Sequence, residues 1–287
     1  MTWSTSPDIH VFLDAAADFL AARPIEHTAL LTEAAYLGAH PSTDPGQRYG
    51  WWRPGDGDVG GGSEVAGGSE VAGAFVQAPR HPPILSLMPD DAVESLVDTL
   101  PDLPPLGVDG RMAQCVMTAW QHRAGVELSE RSRIRLYRLG RLQPRPHSQS
   151  PPPGQPRVAT HTDREILVSW YHKMMAAFPD DPSDLAYVVD DPIGYGGITL
   201  WEVDGVPQAM AGRSRLVAGM VRLGAVYCAQ DQRYADAAFD AACQAAEAVA
   251  RDVLVFTAAA DTATDAAYRQ LGFQPVLDRV ILAPHPA

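Results

Sequence analysis

The stretch VYCAQDQRYADAAFDAACQAAEAVA, residues 226–250, holds the residues whose order suggests chemistry first. An apolar strand, a polar turn and a long alanine-rich helix are the parts of a phosphate-binding strand–loop–helix. Orphan N–H groups and the dipole at the start of such a helix favour an anion. Glycine normally fills the turn, because the backbone must come close to the phosphate. Between Ala229 and Tyr234 there is none. Cys228 ends the strand, and a thiol beside a thioester could take up an acyl group. No histidine lies near it in sequence to activate it, so an inert, packed thiol is the plainer reading.

The elements that must position this stretch follow from composition and periodicity. The chain has 287 residues, 46% of them hydrophobic, enough for one large domain or two ordinary ones. Its formal charge is −13 and its basic residues are scattered. Nucleic acid and anionic membrane surfaces are therefore excluded as partners. Three cysteines without a C-x-x-C pair imply a reduced, cytoplasmic setting. No apolar run reaches 18 residues and no signal peptide is read, so no membrane span is expected. The Ala, Arg, Pro and Gly bias fits a bacterial gene of high GC content.

Six prolines in QPRPHSQSPPPGQP mark a linker at 143–156, since such a segment can form neither a helix nor a central strand. It divides a domain at 1–142 from one at 157–287. Each side is expected to be α/β, on a mixed, largely antiparallel sheet. In the first, helices are expected near 8–22 and 28–37, a strand at YGWW, and a helix at DDAVESLVDTL begun by Asp90 or Asp91. GGSEVAGGSEVAG is a tandem duplication read as a surface hairpin loop. In the second, a helix follows ATHTDRE, capped by Thr160 or Thr162 with Glu165 near the third position. A hairpin turns at Asp204 and Gly205. Further strands are read at VAGMVRLGAVYC, VLVFTAA and FQPVLDRVILAP, with a helix DTATDAAYRQLG closed by Gly272.

The words GAVYC, the helix behind QDQR, and TDAAYRQLGFQPV near the C-terminus resemble the GNAT acyltransferases. The similarity spans the second half and, more loosely, the first, which is similar to the extra domain of a bacterial two-domain subgroup. The resemblance implies two tandem GNAT folds. It implies that the strand before the loop splays from its neighbour and offers backbone to the pantetheine arm of coenzyme A. It also implies a loop of the form Q/R-x-x-G-x-G/A whose N–H groups hold the pyrophosphate.

Carried onto this chain, the resemblance puts the pantetheine arm at Val226, Tyr227 and Cys228. Gln230, Arg233, Tyr234 and Ala235 stand in the pyrophosphate loop, and Asp261 stands where relatives carry an amide. Tyr268 stands where the general acid protonates the leaving thiolate. The loop is three residues shorter than the usual pattern. One alignment deletes Gly-x-Gly after Arg233; the other keeps Gln230-x-x-Arg233-x-Ala235 and shortens the approach. Asp236, expected in the first turn of the helix, and Asp261 and Asp265 all disfavour a pyrophosphate. A degenerate coenzyme A site is implied.

Other candidates are His161 and His172 near the acceptor, Glu202 and Asp204 as a base, and Trp51 and Trp52 lining an acceptor pocket. No histidine pattern signals a metal. The arginines at 131, 133, 135 and 138 form a basic patch able to receive an acyl carrier protein. The implied function is acyl transfer, chiefly acetyl transfer, from acetyl-CoA or another acyl thioester to an amine or hydroxyl of a small molecule. The alternative is a GNAT fold with a lost or repurposed coenzyme A site.

Overall fold

A computed structural model describes residues 2–55, 70–100, 105–145, 152–177 and 181–284. The GGSEVA duplication through residue 69 and the middle of the proline-rich stretch, 146–151, lie outside these residues. The described chain forms two compact units. The first runs up to Arg135 and adds Ala258–Ala260 and the chain from Leu277 on; the second is Leu136–Thr257 with Asp261–Val276.

The first unit contains β1 (Thr2–Ser6), α1 (Ile9–Ala22), α2 (Thr28–Ala39), β2 (Arg48–Arg53), β3 (Gly73–Gln77), β4 (Ile84–Leu85), α3 (Asp90–Thr99), β5 (Leu106–Asp109) and α4 (Ala113–Ala124). Strands β6 (Leu128–Leu139) and β12 (Phe273–Pro284) have residues in both units, and a strand given below places its last residue, Ala258, in the first unit. Strands of the first unit lie in the order β1-β2-β3-β4-β5-β12. Asp8 starts α1 by accepting the N–H of His10 at 2.8 Å. Helix α3 begins differently from the sequence expectation. Pro89 is its cap, and Asp90 and Asp91 occupy the first turn, where they face the positive end of the dipole. Val93, Leu96 and Val97 of α3 then pack with Val116 and Trp120 of α4 over Phe75 and Val108.

The second unit contains β7 (Gln155–Val158), α5 (Arg164–Met175), a π-helical turn Ala186–Asp190 running into α6 (Asp191–Gly194), β8 (Ile198–Val203), β9 (Val206–Arg213), β10 (Met220–Cys228), α7 (Gln232–Glu247), β11 (Asp252–Ala258) and α8 (Thr262–Gln270). Strand order is β11-β10-β9-β8-β7. Gln155 and Pro156, assigned to the linker from sequence, belong to β7. This is an edge strand, where a residue without an N–H is tolerated. The start of α5 is also corrected. Thr160 caps the turn before it, and the reciprocal partner is Asp163, which accepts the Thr160 N–H at 2.8 Å, not Glu165. Asp204 and Gly205, at φ of 48° and 78°, make the two-residue hairpin turn between β8 and β9.

Among the described residues, the pairs β1–β2, β2–β3, β3–β4, β5–β12, β7–β8, β8–β9 and β9–β10 are antiparallel, whereas β4–β5 and β10–β11 are parallel. This is a mixed, largely antiparallel α/β sheet architecture. Among the described residues no helix is long and apolar enough to cross a membrane.

Candidate functional site

The two parallel strand pairs differ at their ends. In the second unit, β10 pairs with β11 only from Met220↔Asp252 to Leu223↔Val255. Beyond that point β10 runs on to Cys228 without β11. On its other side β10 stays attached to β9, but the register slips: Gly224 faces Gly212 and Tyr227 faces Met210. Three steps on β10 match two on β9, so β10 carries one extra residue, a bulge. Ala225 takes it up at φ 50°, a left-handed conformation unusual for a residue with a Cβ.

The extra residue shifts the phase of the strand. Val221 and Leu223 pack toward α7 and α8; after the bulge Val226 and Cys228 do so instead. Tyr227 turns to the other face, where its ring lies 5.6 Å from that of Trp170 on α5. The backbone of residues 224–228 is left with an edge facing away from β9 that β11 does not pair. An extended amide chain can add itself to such an edge.

In the first unit the corresponding strands β4 and β5 are bridged. Arg279, buried at 5% exposure, donates from Nη2 to the carbonyls of Leu85 at 3.0 Å and Gly107 at 2.9 Å. That gap is filled by a guanidinium. Trp51 and Trp52 of β2 are core residues of this unit and not a pocket lining: Trp52 is 2% exposed, and Trp51 packs against Phe12.

At the end of β10 the chain turns through Ala229 and exposed Gln230 into α7. Asp231 is the helix cap. Its Oδ1 accepts the backbone N–H of Arg233 at 2.9 Å, and its carbonyl accepts that of Tyr234 at 3.0 Å. The Arg233 guanidinium folds back on the same carboxylate, at 3.0 and 2.8 Å. This pairing holds the Asp231 carboxyl below its ordinary range. The helix start therefore already holds an anion of its own. Asp236 lies in the second turn, not the first as expected, because the helix begins at Gln232. Arg145 approaches it at 3.5 Å and forks onto Asp240 at 2.8 and 3.0 Å. Ala235, in the first turns of α7, is buried against the core of this unit.

Cys228 lies 3.8 Å from Oε1 of Gln232, and burial with Asp231 and Asp236 nearby pushes its thiol up. Few thiolates form there, which fits a packed cysteine. Asp261 caps α8, accepting Thr264 N–H at 3.0 Å and its hydroxyl at 2.7 Å. Tyr268, on α8, stacks on Phe239 at 5.6 Å and meets Tyr137 edge-on at 5.8 Å. Burial pushes its phenol up to about 12. Among the described residues its hydroxyl has no hydrogen-bond partner, whereas the Tyr137 hydroxyl donates to Asp265.

A second feature was not legible from sequence. A cavity of about 500 Å³ lies against α5, lined by Tyr171, His172 and Met175 together with Asp181, Ser183, Asp184 and Leu185. His172 thus reaches a pocket, while His161 is exposed at the turn before α5. Glu202 is held by Arg157, and Asp204 is the hairpin turn residue. The arginine patch is largely neutralised. Arg133 pairs with Glu130 and Asp278, Arg135 with Asp278, and Arg138 with Asp252 at 2.7 Å; Arg131 binds the Pro284 carbonyl.

No family model matches the sequence, and no curated protein matches it. Solved structures do. An acetyltransferase of the GNAT family from Colwellia psychrerythraea aligns over all of both chains at a TM-score of 0.56 and 11% identity. A GCN5-related N-acetyltransferase from Kribbella flavida aligns over 76% of this chain and 88% of its own at 0.52 and 18%. A tandem GNAT protein from the clavulanic acid biosynthesis pathway aligns over all of both chains at 0.50 and 14%. At these identities the likeness is one of fold: the chain has the GNAT fold, and a tandem GNAT protein is among its structural neighbours.

Proposed function

From a tandem GNAT fold whose second unit keeps an open strand edge, we propose that this chain is an acyltransferase. It moves an acyl group, chiefly acetyl, from a thioester to an amine or hydroxyl of a small molecule. The observation that carries this reading is the parting of β10 from β11 beyond Leu223 together with the bulge at Ala225. The edge at Val226, Tyr227 and Cys228 receives the donor's amide arm, as an added strand would bind. The first unit, with Arg279 across its strand gap, contributes no second donor site.

The reaction needs little covalent help from the protein. The acceptor's lone pair attacks the thioester carbonyl, the tetrahedral intermediate collapses, and the C–S bond breaks. The departing thiolate takes the Tyr268 proton, and the proton lost by the acceptor restores the phenol through solvent. The cavity beside α5 is the acceptor pocket. Asp181 and Asp184 on its wall favour an amine over a hydroxyl, and His172 stands beside them to receive a proton.

A specific observation favours a second reading, a GNAT fold whose coenzyme A site is lost or reused. Asp231 sits where a pyrophosphate would need free N–H groups, and the loop has no glycine. One experiment separates the two. The protein is mixed with acetyl-CoA, S-acetylpantetheine and an acetylated carrier protein, each with a panel of primary amines, and free thiol is followed. Amine-dependent thiol release from any donor supports transfer. No release from all three, with folded protein, leaves the second reading.

A further inference from the structure

We propose that Asp231 makes the second unit selective for thioesters that carry no nucleotide, with the acyl group borne on a pantetheine-type or shorter thiol. This inference rests on the acyl-transfer reading and narrows it to a donor class. A coenzyme A thioester makes two demands. Its arm needs backbone partners, and the strand edge at residues 224–228 supplies them. Its pyrophosphate needs N–H donors and a cation at the start of α7, where the Arg233 and Tyr234 N–H groups and the Arg233 guanidinium are already held.

Asp231 holds the N–H of Arg233 on its carboxylate and that of Tyr234 on its carbonyl. It also holds the Arg233 guanidinium, at 2.8 and 3.0 Å. Two carboxylates stand next along the helix, Asp236 and Asp240, and both share Arg145. Asp240 lies nine residues along the helix from Asp231, about 13 Å away, so Arg145 is drawn away from the helix start and Arg233 is spent on Asp231, leaving no uncompensated guanidinium there for a dianion. The helix dipole, worth about half a positive charge, already meets the Asp231 carboxylate at the cap. A phosphate thus meets Asp231 in possession of the donors and the cation at the place where the fold would hold it, while the arm's own site stays open.

Such a donor has two sources, a free small thiol or the prosthetic arm of a carrier protein. The neutralised arginines at 133, 135 and 138 favour the first.

The test is calorimetric titration of the full chain with coenzyme A, pantetheine and a holo carrier protein. The parent, Asp231→Asn and Asp231→Ser are compared, both substitutions keeping a neutral helix cap. The parent is expected to bind pantetheine at least as tightly as coenzyme A. The neutral variants should tighten coenzyme A about tenfold, the factor expected for a carboxylate a few ångströms from a dianion in high dielectric, and leave pantetheine within about twofold. Carrier binding stronger than pantetheine assigns the carried source, and the reverse assigns the free thiol; either upholds the donor class. A parent that prefers coenzyme A tenfold, or variants that bind it no better, overturns the role of Asp231 alone. No binding of any thiol to folded parent or variants overturns the acyl-transfer reading itself, and this inference with it.

Discussion

Tyr268→Phe tests the chemistry most directly. The ring is fixed by Phe239 at 5.6 Å, Tyr137 at 5.8 Å and Phe273 at 5.5 Å, and the substitution keeps all three contacts. The hydroxyl has no partner among the described residues, so stability should change by less than about 0.5 kcal/mol. The rate should change much more. Burial places the phenol at about 12, whereas a cysteine-like thiol lies near about 8.5. Complete proton transfer to the thiolate would then be uphill by about 3.5 units, or roughly 5 kcal/mol. The proton can help only while the C–S bond is breaking and the sulfur is gaining charge. The benefit should sit at the low end of the general-acid range, about 10²-fold in a span of about 10²–10⁴. Single-turnover thiol release should show kcat and kcat/KM falling together, with KM steady, because the interaction is made in the transition state. The active form is the neutral phenol, lost only as pH rises through about 12. The parent should therefore show no alkaline limb from Tyr268 below about pH 10. Transfer by the Phe variant at the parent rate would refute the reasoning and leave Tyr268 as a packing residue.

Three stability predictions follow from the scaffold. Gly272 sits at φ 94°, and a Cβ there would come 2.1 Å from the Arg141 carbonyl oxygen; Gly272→Ala should cost about 3 kcal/mol in urea unfolding, and a loss under about 1 kcal/mol would mean the turn relaxes freely. Arg279→Leu removes the donor from two carbonyls inside the first unit and should cost roughly 3 kcal/mol; an unchanged melting temperature would show that the bridge is dispensable. Asp163 is 7% exposed and held near about 2, first by its hydrogen bond from Arg157. A depressed carboxyl stabilises the fold above the unfolded value of about 3.9 and loses that contribution as pH falls through about 2. Asp163→Asn should remove roughly 2 kcal/mol at pH 7 and flatten stability between pH 4 and 2; a parent-like acid profile in the variant would contradict the assignment.

Much of this architecture was readable from residue order. Apolar periodicity and composition located α1, α2, α5 and α7, Asp204–Gly205 announced its hairpin, and Gly272 closed α8, because each depends on a few neighbouring residues and their backbone preferences. The missed elements were short or lacked a local signal. Thr2–Ser6 is a polar edge strand, Gln155–Val158 hides behind prolines, and the π-helical turn at Ala186–Asp190 has no periodicity of its own.

The candidate site divides in the same way. That the turn before α7 lacks glycine and carries acids is written in QDQRYAD, and with it the expectation of a poor phosphate site. No sequence pattern says which acid would matter. Asp236 drew attention, yet the helix register makes Asp231 the cap, and only folding brings the Arg233 guanidinium back onto it. The bulge at Ala225 is likewise a product of register between β10 and β9. Arg279 reaches its two carbonyls across 194 and 172 residues of chain. Local composition determined what this protein has to work with. Which strand gap stays open, and which anion occupies the helix start, were decided by contacts between segments far apart in the chain, and such pairings leave no trace in the spacing of neighbouring residues.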